Sequence, residues 1–206
     1  GDDIAMHWGD EFIGAQLGIN AVTHGAFCPD SRQPELKFSA VAIEPADLPW
    51  RLSACAWVAP EGGPRLRERL RALMPRFGSA PCLPAPARGA PVGWAFEAAC
   101  DQPPAPELVD ELAAALGLDQ PAVLRYADAR RGRLRLLRLD GDDLQAAPLQ
   151  ALLRVGQHDE GAWLVDLWRE RTAASTVGRW LLSPGAPPTN PGAAASPQVC
   201  NCFDVS

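Results

Sequence analysis

The sequence predicts a mixed α/β fold. Three observations predict it: strand-length runs of alternating or continuous apolar residues, longer runs with helical spacing bounded by Pro and Gly, and the interleaving of the two along the chain. With 47% apolar residues over 206 positions, the chain can bury one or two modest cores.

In chain order, residues 7 to 44 read as loop, short strand and loop. Gly9, Gly14, Gly18, Gly25, Pro29 and Pro34 punctuate the run before one alternating strand, Phe38 to Glu44. Pro45 to Leu52 reads as a connector that marks a boundary. Ser53 to Ala59 then predicts a short buried strand. Gly62-Gly63-Pro64 leads into a helix from about Arg65 to Phe77, whose Leu66, Leu70, Leu73 and Phe77 share one stripe. Its arginines at 65, 67, 69 and 71 are interrupted by Glu68 and read as a solvated face.

The Pro-rich stretch 79 to 91 predicts a loop or internal linker without regular structure. Val92 to Cys100 predicts a strand, and Pro106 to Leu116 a helix stopped by Gly117. Two strands, Val123 to Ala127 and Arg133 to Leu139, form a hairpin across Asp128 to Gly132. Asp140-Gly141-Asp142 makes a second turn before the strand Leu149 to Val155. A helix over 160 to 171 places Trp163, Leu164, Leu167 and Trp168 on one side, and a short segment, Val177 to Leu182, follows it. With Trp180, these tryptophans read as packing residues. Residues 184 to 198 are a Pro/Ala/Gly-rich linker.

Charge and cysteine usage narrow the function classes. A net charge of -6 with a single Lys, Lys37, argues against a nucleic-acid or anionic-membrane partner, since phosphate binding is driven by clustered basic residues. The turn Arg130-Arg131-Gly132-Arg133 has the composition of a phosphate site, but beside Asp128 it reads as surface charge. No apolar run approaches bilayer length. Cysteines 28, 55, 82 and 100 are isolated and read as small buried hydrophobes, unlike the close pair Cys200 and Cys202. His24 and Cys28 are only two metal donors, too few for a site.

Several pieces of the N-terminal run together resemble the end of the C-terminal domain of the molybdopterin oxidoreductases, most closely the assimilatory nitrate reductases. They are His7-Trp8, Gly18-Ile19-Asn20-Ala21-Val22-Thr23, Pro29, Ser31, Gln33-Pro34-Glu35-Leu36-Lys37 and Ala40-Val41. Cys28 and Asp30 depart from the family pattern at one turn. The resemblance implies that residues 1–47 are the C-terminal part of a double-psi β-barrel that binds molybdopterin dinucleotide, followed by a small α/β module over 53–183. Residues 125 to 144 and the WLVDLW run are similar, more distantly, to a domain accompanying nitrite and nitrate reductases and the C-terminal part of flavin-dependent reductases. Val199-Cys200-Asn201-Cys202-Phe203 resembles the opening of a bacterioferritin-associated-ferredoxin-like domain over 199–206, which completes a 2Fe-2S cluster with a C-x-x-C about thirty residues on.

What the resemblance implies for function is specific. Asn20 and Lys37 would contact a molybdenum bis(molybdopterin guanine dinucleotide) cofactor, the amide meeting the pterin's polar edge and the ammonium its oxygens. Phe12 would line the substrate funnel, with His7, Trp8 and Gln16 beside it. Cys200 and Cys202 would supply two thiolates to the 2Fe-2S cluster, while the molybdenum ligand and a 4Fe-4S cluster would lie upstream. Opening at Gly1 without Met, the chain is expected to be a piece of a longer cytoplasmic nitrate reductase and inactive alone. Its electrons would come from a ferredoxin, a flavodoxin or an NADH-dependent reductase subunit. A formate dehydrogenase of the same superfamily shares the Asn20-x-x-Thr23 and Pro34-Glu35-x-Lys37 features, and a non-catalytic electron-transfer or scaffold protein is the alternative from another class. The residues themselves show no nucleophile-and-base constellation, G-x-G-x-x-G or P-loop.

Overall fold

The computed structural model describes residues 25–34, 40–42, 44–85, 91–141, 143, 145–157 and 161–185. The fold is mixed α/β: one six-stranded, wholly antiparallel sheet in the order β2-β3-β1-β6-β5-β4, with helices on both faces. The strands are β1 (Trp50–Val58), β2 (Cys82–Ala85), β3 (Val92–Cys100), β4 (Leu124–Asp128), β5 (Arg133–Leu139) and β6 (Leu149–Gln157). The helices are α1 (Gly63–Leu73), α2 (Pro106–Ala115) and α3 (Trp163–Glu170). Without the β4–β5 hairpin, the remaining strands lie in the order β6-β1-β3-β2, the split β-α-β-β-α-β arrangement. The hairpin widens that sheet by adding to β6.

Strand alternation sorts side chains between two cores. Leu52, Ala54 and Ala56 of β1 face α1 and α2 with Phe96, Ala98, Leu136, Leu153 and Val155. Cys55 and Trp57 face α3 with Ala95, Leu137 and Leu152. Central β1 is paired on both sides and covered on both faces, so its middle positions are all buried.

α1 carries Pro64 as its second residue and α2 opens at Pro106, where the fixed φ suits a first turn and the missing N–H is not needed. Leu66, Leu70 and Leu73 of α1 and Leu108, Val109 and Leu112 of α2 turn inward, each buried Leu contributing about 1.5–3 kcal/mol before entropy is counted. Gly117, at φ +66°, ends α2: its N–H reaches the Ala114 carbonyl and the Leu118 N–H reaches that of Ala113. Arg138 Nη1 donates to the Gly117 carbonyl at 2.6 Å, placing a cation at the negative end of the helix.

On the other face Trp57 and Trp168 stack with centroids 4.9 Å apart. Trp57 Nε1 donates to the Trp168 carbonyl and Trp168 Nε1 to that of Gln150, so both indoles satisfy their polar atom.

Several expectations are corrected. Residues 79 to 91 are not wholly irregular, because β2 forms within them. It is an edge strand, where a residue lacking an N–H such as Pro84 is tolerated. β1 begins at Trp50, inside the expected connector, because Trp50 to Leu52 find partners in both β3 and β6. Of the expected strand Phe38 to Glu44, the described residues 40–42 and 44 belong to no strand and are exposed. Cys28 is exposed, while Cys55 and Cys82 are buried as expected and Cys100 is half-buried.

Candidate functional site

Phe12, Asn20, Lys37, Cys200 and Cys202, together with His7, Trp8, Gln16 and His24, lie outside the described residues. The nearest described element is the turn before Lys37. An antiparallel bridge joins Phe27 to Pro34, Cys28 N–H donates to the Gln33 carbonyl at 2.9 Å, and Arg32 N–H donates back to the Cys28 carbonyl at 2.9 Å. Arg32 takes φ +59° to close it. Cys28 is exposed, and the Ser31 N–H lies 3.5 Å from its Sγ. Hydrogen bonding from Ser31 holds the thiol below its ordinary pKa.

Burial pushes the other thiols the opposite way. Cys55 is raised well above the ordinary value, Cys82 to about 11 despite the nearby Arg67 charge, and Cys100 is raised by burial and then by Asp101. Such thiols stay protonated and behave as apolar packing. Among the described residues, no group of three or more His, Cys, Asp or Glu side chains is placed to hold a metal.

Two polar constellations do emerge. The first is a row across the α3 face of the sheet, one residue from each of five strands: Glu97, Ser53, Arg154, Arg135 and Tyr126 stand side by side through the strand registers. Ser53 is 0% exposed, Arg154 3% and Arg135 5%. Arg154 Nε donates to Ser53 Oγ at 3.3 Å, and Ser53 Oγ donates to Glu97 Oε2 at 2.7 Å. Burial raises the Glu97 pKa, opposed by the Ser53 hydrogen bond and the Arg154 charge. Arg135 Nη1 donates to the carbonyls of Trp180, Leu181 and Ser183. This row is chemically quiet: the Ser53 hydroxyl is inaccessible and its proton is committed to Glu97.

The second constellation opens to solvent at the end of the sheet. A cleft of about 620 Å³ lies between the β4–β5 turn and the ends of β1 and β6, with Pro103 at its margin. Arg130, Arg131 and Arg133 line one side, Trp50 and Gln157 the other. Asp128 sets the turn: its backbone carbonyl and Oδ1 both accept from the Arg131 N–H, and its Oδ2 lies 3.3 Å from Arg131 Nη1. Gly132 has φ +62°, and a Cβ there would sit 2.4 Å from the Trp50 ring, so only glycine lets the turn lie on the indole.

No family model, curated protein or solved structure matches this chain.

Sequence reasoning singled out the arginine turn and read it as surface charge, and it did not reach Trp50 and Gln157, which come from strand ends far along the chain. The buried row was missed as a unit. The available signal was a charged or hydroxyl residue at an interior position of each of four strands, Glu97, Ser53, Arg154 and Arg135.

Proposed function

We propose that the chain is the C-terminal part of a cytoplasmic, molybdenum-dependent assimilatory nitrate reductase. The observation that carries this reading is the joint occurrence, in one chain, of the Gly18–Thr23 and Gln33–Lys37 motifs and of the Cys200-x-Cys202 pair beyond a Pro/Ala/Gly-rich linker. Residues 1–47 would complete a double-psi β-barrel, and residues 199–206 would open a 2Fe-2S domain.

The donor chemistry suits the groups in question. An Asn20 amide donates and accepts at once, as a pterin edge requires, and a Lys37 ammonium is a compact charge suited to diphosphate or pterin oxygens. The hydrogen-bonded turn over residues 27–34 supports the reading, since it gives the chain a fixed reversal just before Lys37. Phe12 would shape the approach of nitrate. Thiolates at 200 and 202, two positions apart in extended chain, project to one side and suit a shared iron. When bound, the molybdenum group supplies oxygen-atom transfer from nitrate, leaving nitrite. The chain's own part is to hold that group in place and to bring electrons toward it.

The test uses the full-length protein. Asn20→Ala and Lys37→Ala should each lower molybdenum content per polypeptide as well as nitrate reduction, and Cys200→Ser should remove the visible absorption of a 2Fe-2S cluster. Molybdenum loading unchanged in both of the first two variants would overturn the assignment.

A further inference from the structure

The outer surface of the α1–α2 layer is segregated by charge. α1 carries Arg65, Arg67, Arg69 and Arg71 against Glu68, so four positive groups less one negative leave a charge of +3 on one helix of a chain whose net charge is -6. α2 carries Glu107, Asp110 and Glu111 with no basic residue, a charge of -3. The two helices share one core and are joined where Arg76 Nη1 donates to Glu111 Oε2 at 2.7 Å.

This segregation works against each helix by itself. Arg65 and Arg69, like Glu107 and Glu111, are like-charged neighbours four apart, a spacing that costs an exposed helix about what an opposite pair would contribute. Arg65 also stands near the start of α1, where the helix dipole favours an anion and the first turn has none. Some of the charges are already matched: Arg76 pairs with Glu111, and Arg67 lies 4.0 Å from Glu68 and over the Trp94 ring. Among the described residues, Arg65 and Arg69 on α1 and Glu107 and Asp110 on α2 make no ion pair, and all four are exposed.

A partner for such a face must itself carry both signs. Packed helices lie about 8–10 Å apart, comparable with a Debye length of about 8 Å at physiological ionic strength. A wholly anionic partner drawn to α1 is therefore repelled by α2 beside it. A second copy of this chain carries the matching pattern. A twofold axis in the plane of contact, passing between the two patches, sets the Arg65–Arg69 patch of one copy against the Glu107–Asp110 patch of the other, and the reverse, as an isologous contact requires.

We propose that the α1–α2 face is a self-complementary docking surface on which two copies of this chain pair, basic helix against acidic helix. Helices of 11 and 10 residues are about 16 and 15 Å long, so the contact is small and belongs with the weak, reversible interfaces.

Sedimentation equilibrium of the full-length protein at concentrations up to about 1 mM tests the pairing. A monomer–dimer equilibrium is expected at low salt, weakened at least about tenfold near 1 M salt, where the Debye length falls to about 3 Å. Arg65→Glu with Arg69→Glu turns the α1 patch acidic, and Glu107→Arg with Asp110→Arg turns the α2 patch basic. Each double variant should be monomeric by itself, and the two mixed should pair with each other about as well as the parent pairs with itself. Arg65→Gln with Arg69→Gln, a milder change at exposed positions, should weaken pairing about tenfold. Arg130→Glu, on the exposed β4–β5 turn, should leave it unchanged. A parent protein that stays monomeric throughout that concentration range at low salt, association indifferent to the charge reversals and to the Gln variant, or folded reversal variants that fail to pair when mixed would overturn the proposal. The readout is association alone, so its outcome is separate from the molybdenum loading that decides the nitrate reductase reading.

Discussion

The two faces of the sheet solve the same packing problem differently. Beneath α1 and α2 the inward positions of the central strands are apolar from end to end: Leu52, Ala54 and Ala56, then Phe96 and Ala98, then Leu153 and Val155. Beneath α3 the rows change character partway. Cys55, Ala95, Leu152 and Leu137 form an apolar row, and the next row is Glu97, Ser53, Arg154 and Arg135. Helix length explains the change. Two helices of 11 and 10 residues cover the first face, whereas α3 has 8 residues, a length of about 12 Å at 1.5 Å per residue. Beyond its reach, the 3-10 turn Gly178–Leu182 presents carbonyls, and Arg135 answers them. Buried polarity therefore appears where the covering backbone has its own hydrogen bonds to satisfy.

Substitutions on each face can break or sharpen that contrast. The largest effect is expected for Leu153→Ala beneath α1 and α2. It empties a fully buried site and should cost about 2–5 kcal/mol in chemical denaturation. A loss of only a few tenths would mean that this face is not the rigid one. Next comes Ser53→Ala, which removes the hydroxyl between Arg154 and Glu97 and should cost about 1–3 kcal/mol. Stability equal to that of the unsubstituted chain would reduce the row to a passive feature.

The smallest effect concerns pH and Glu97. Burial raises its folded pKa above the unfolded value, so the folded state holds that proton more tightly. Stability contributed by the protonated carboxyl is present below the ordinary carboxylate pKa of about 4.3 and is lost as pH rises from there through the raised folded value. Glu97→Gln cannot titrate, so its stability relative to the parent should improve as pH rises across that interval. Denaturation midpoints of the two proteins that run parallel across pH would contradict the shift.

Much of the mixed α/β pattern was legible because it rests on local signals. Val92 to Cys100 is a strand as its residues suggest, Pro106 and Gly117 bracket α2, and Asp128 to Gly132 turns the hairpin. What could not be read was pairing at a distance. Cys55 sits beside Leu152 in the sheet, and nothing near either residue says so. β2 was hidden by its proline, harmless only because the strand is at an edge. The buried polar row shares this cause: Glu97 or Arg154 alone looks like an interruption in an apolar strand, and only the registers make them neighbours. The same holds for the arginine cleft, whose turn is local while Trp50 and Gln157 are not. The motif residues Asn20, Lys37, Cys200 and Cys202 lie outside the described residues, and their roles rest on the resemblance.

Arg135 has a mechanical consequence. Rooted in β5 and reaching the carbonyls of Trp180, Leu181 and Ser183, it acts as a cleat for the outgoing chain. Tension applied beyond Ser183 would be met first by that guanidinium and passed into β5, so whatever pulls on the tail pulls on the sheet.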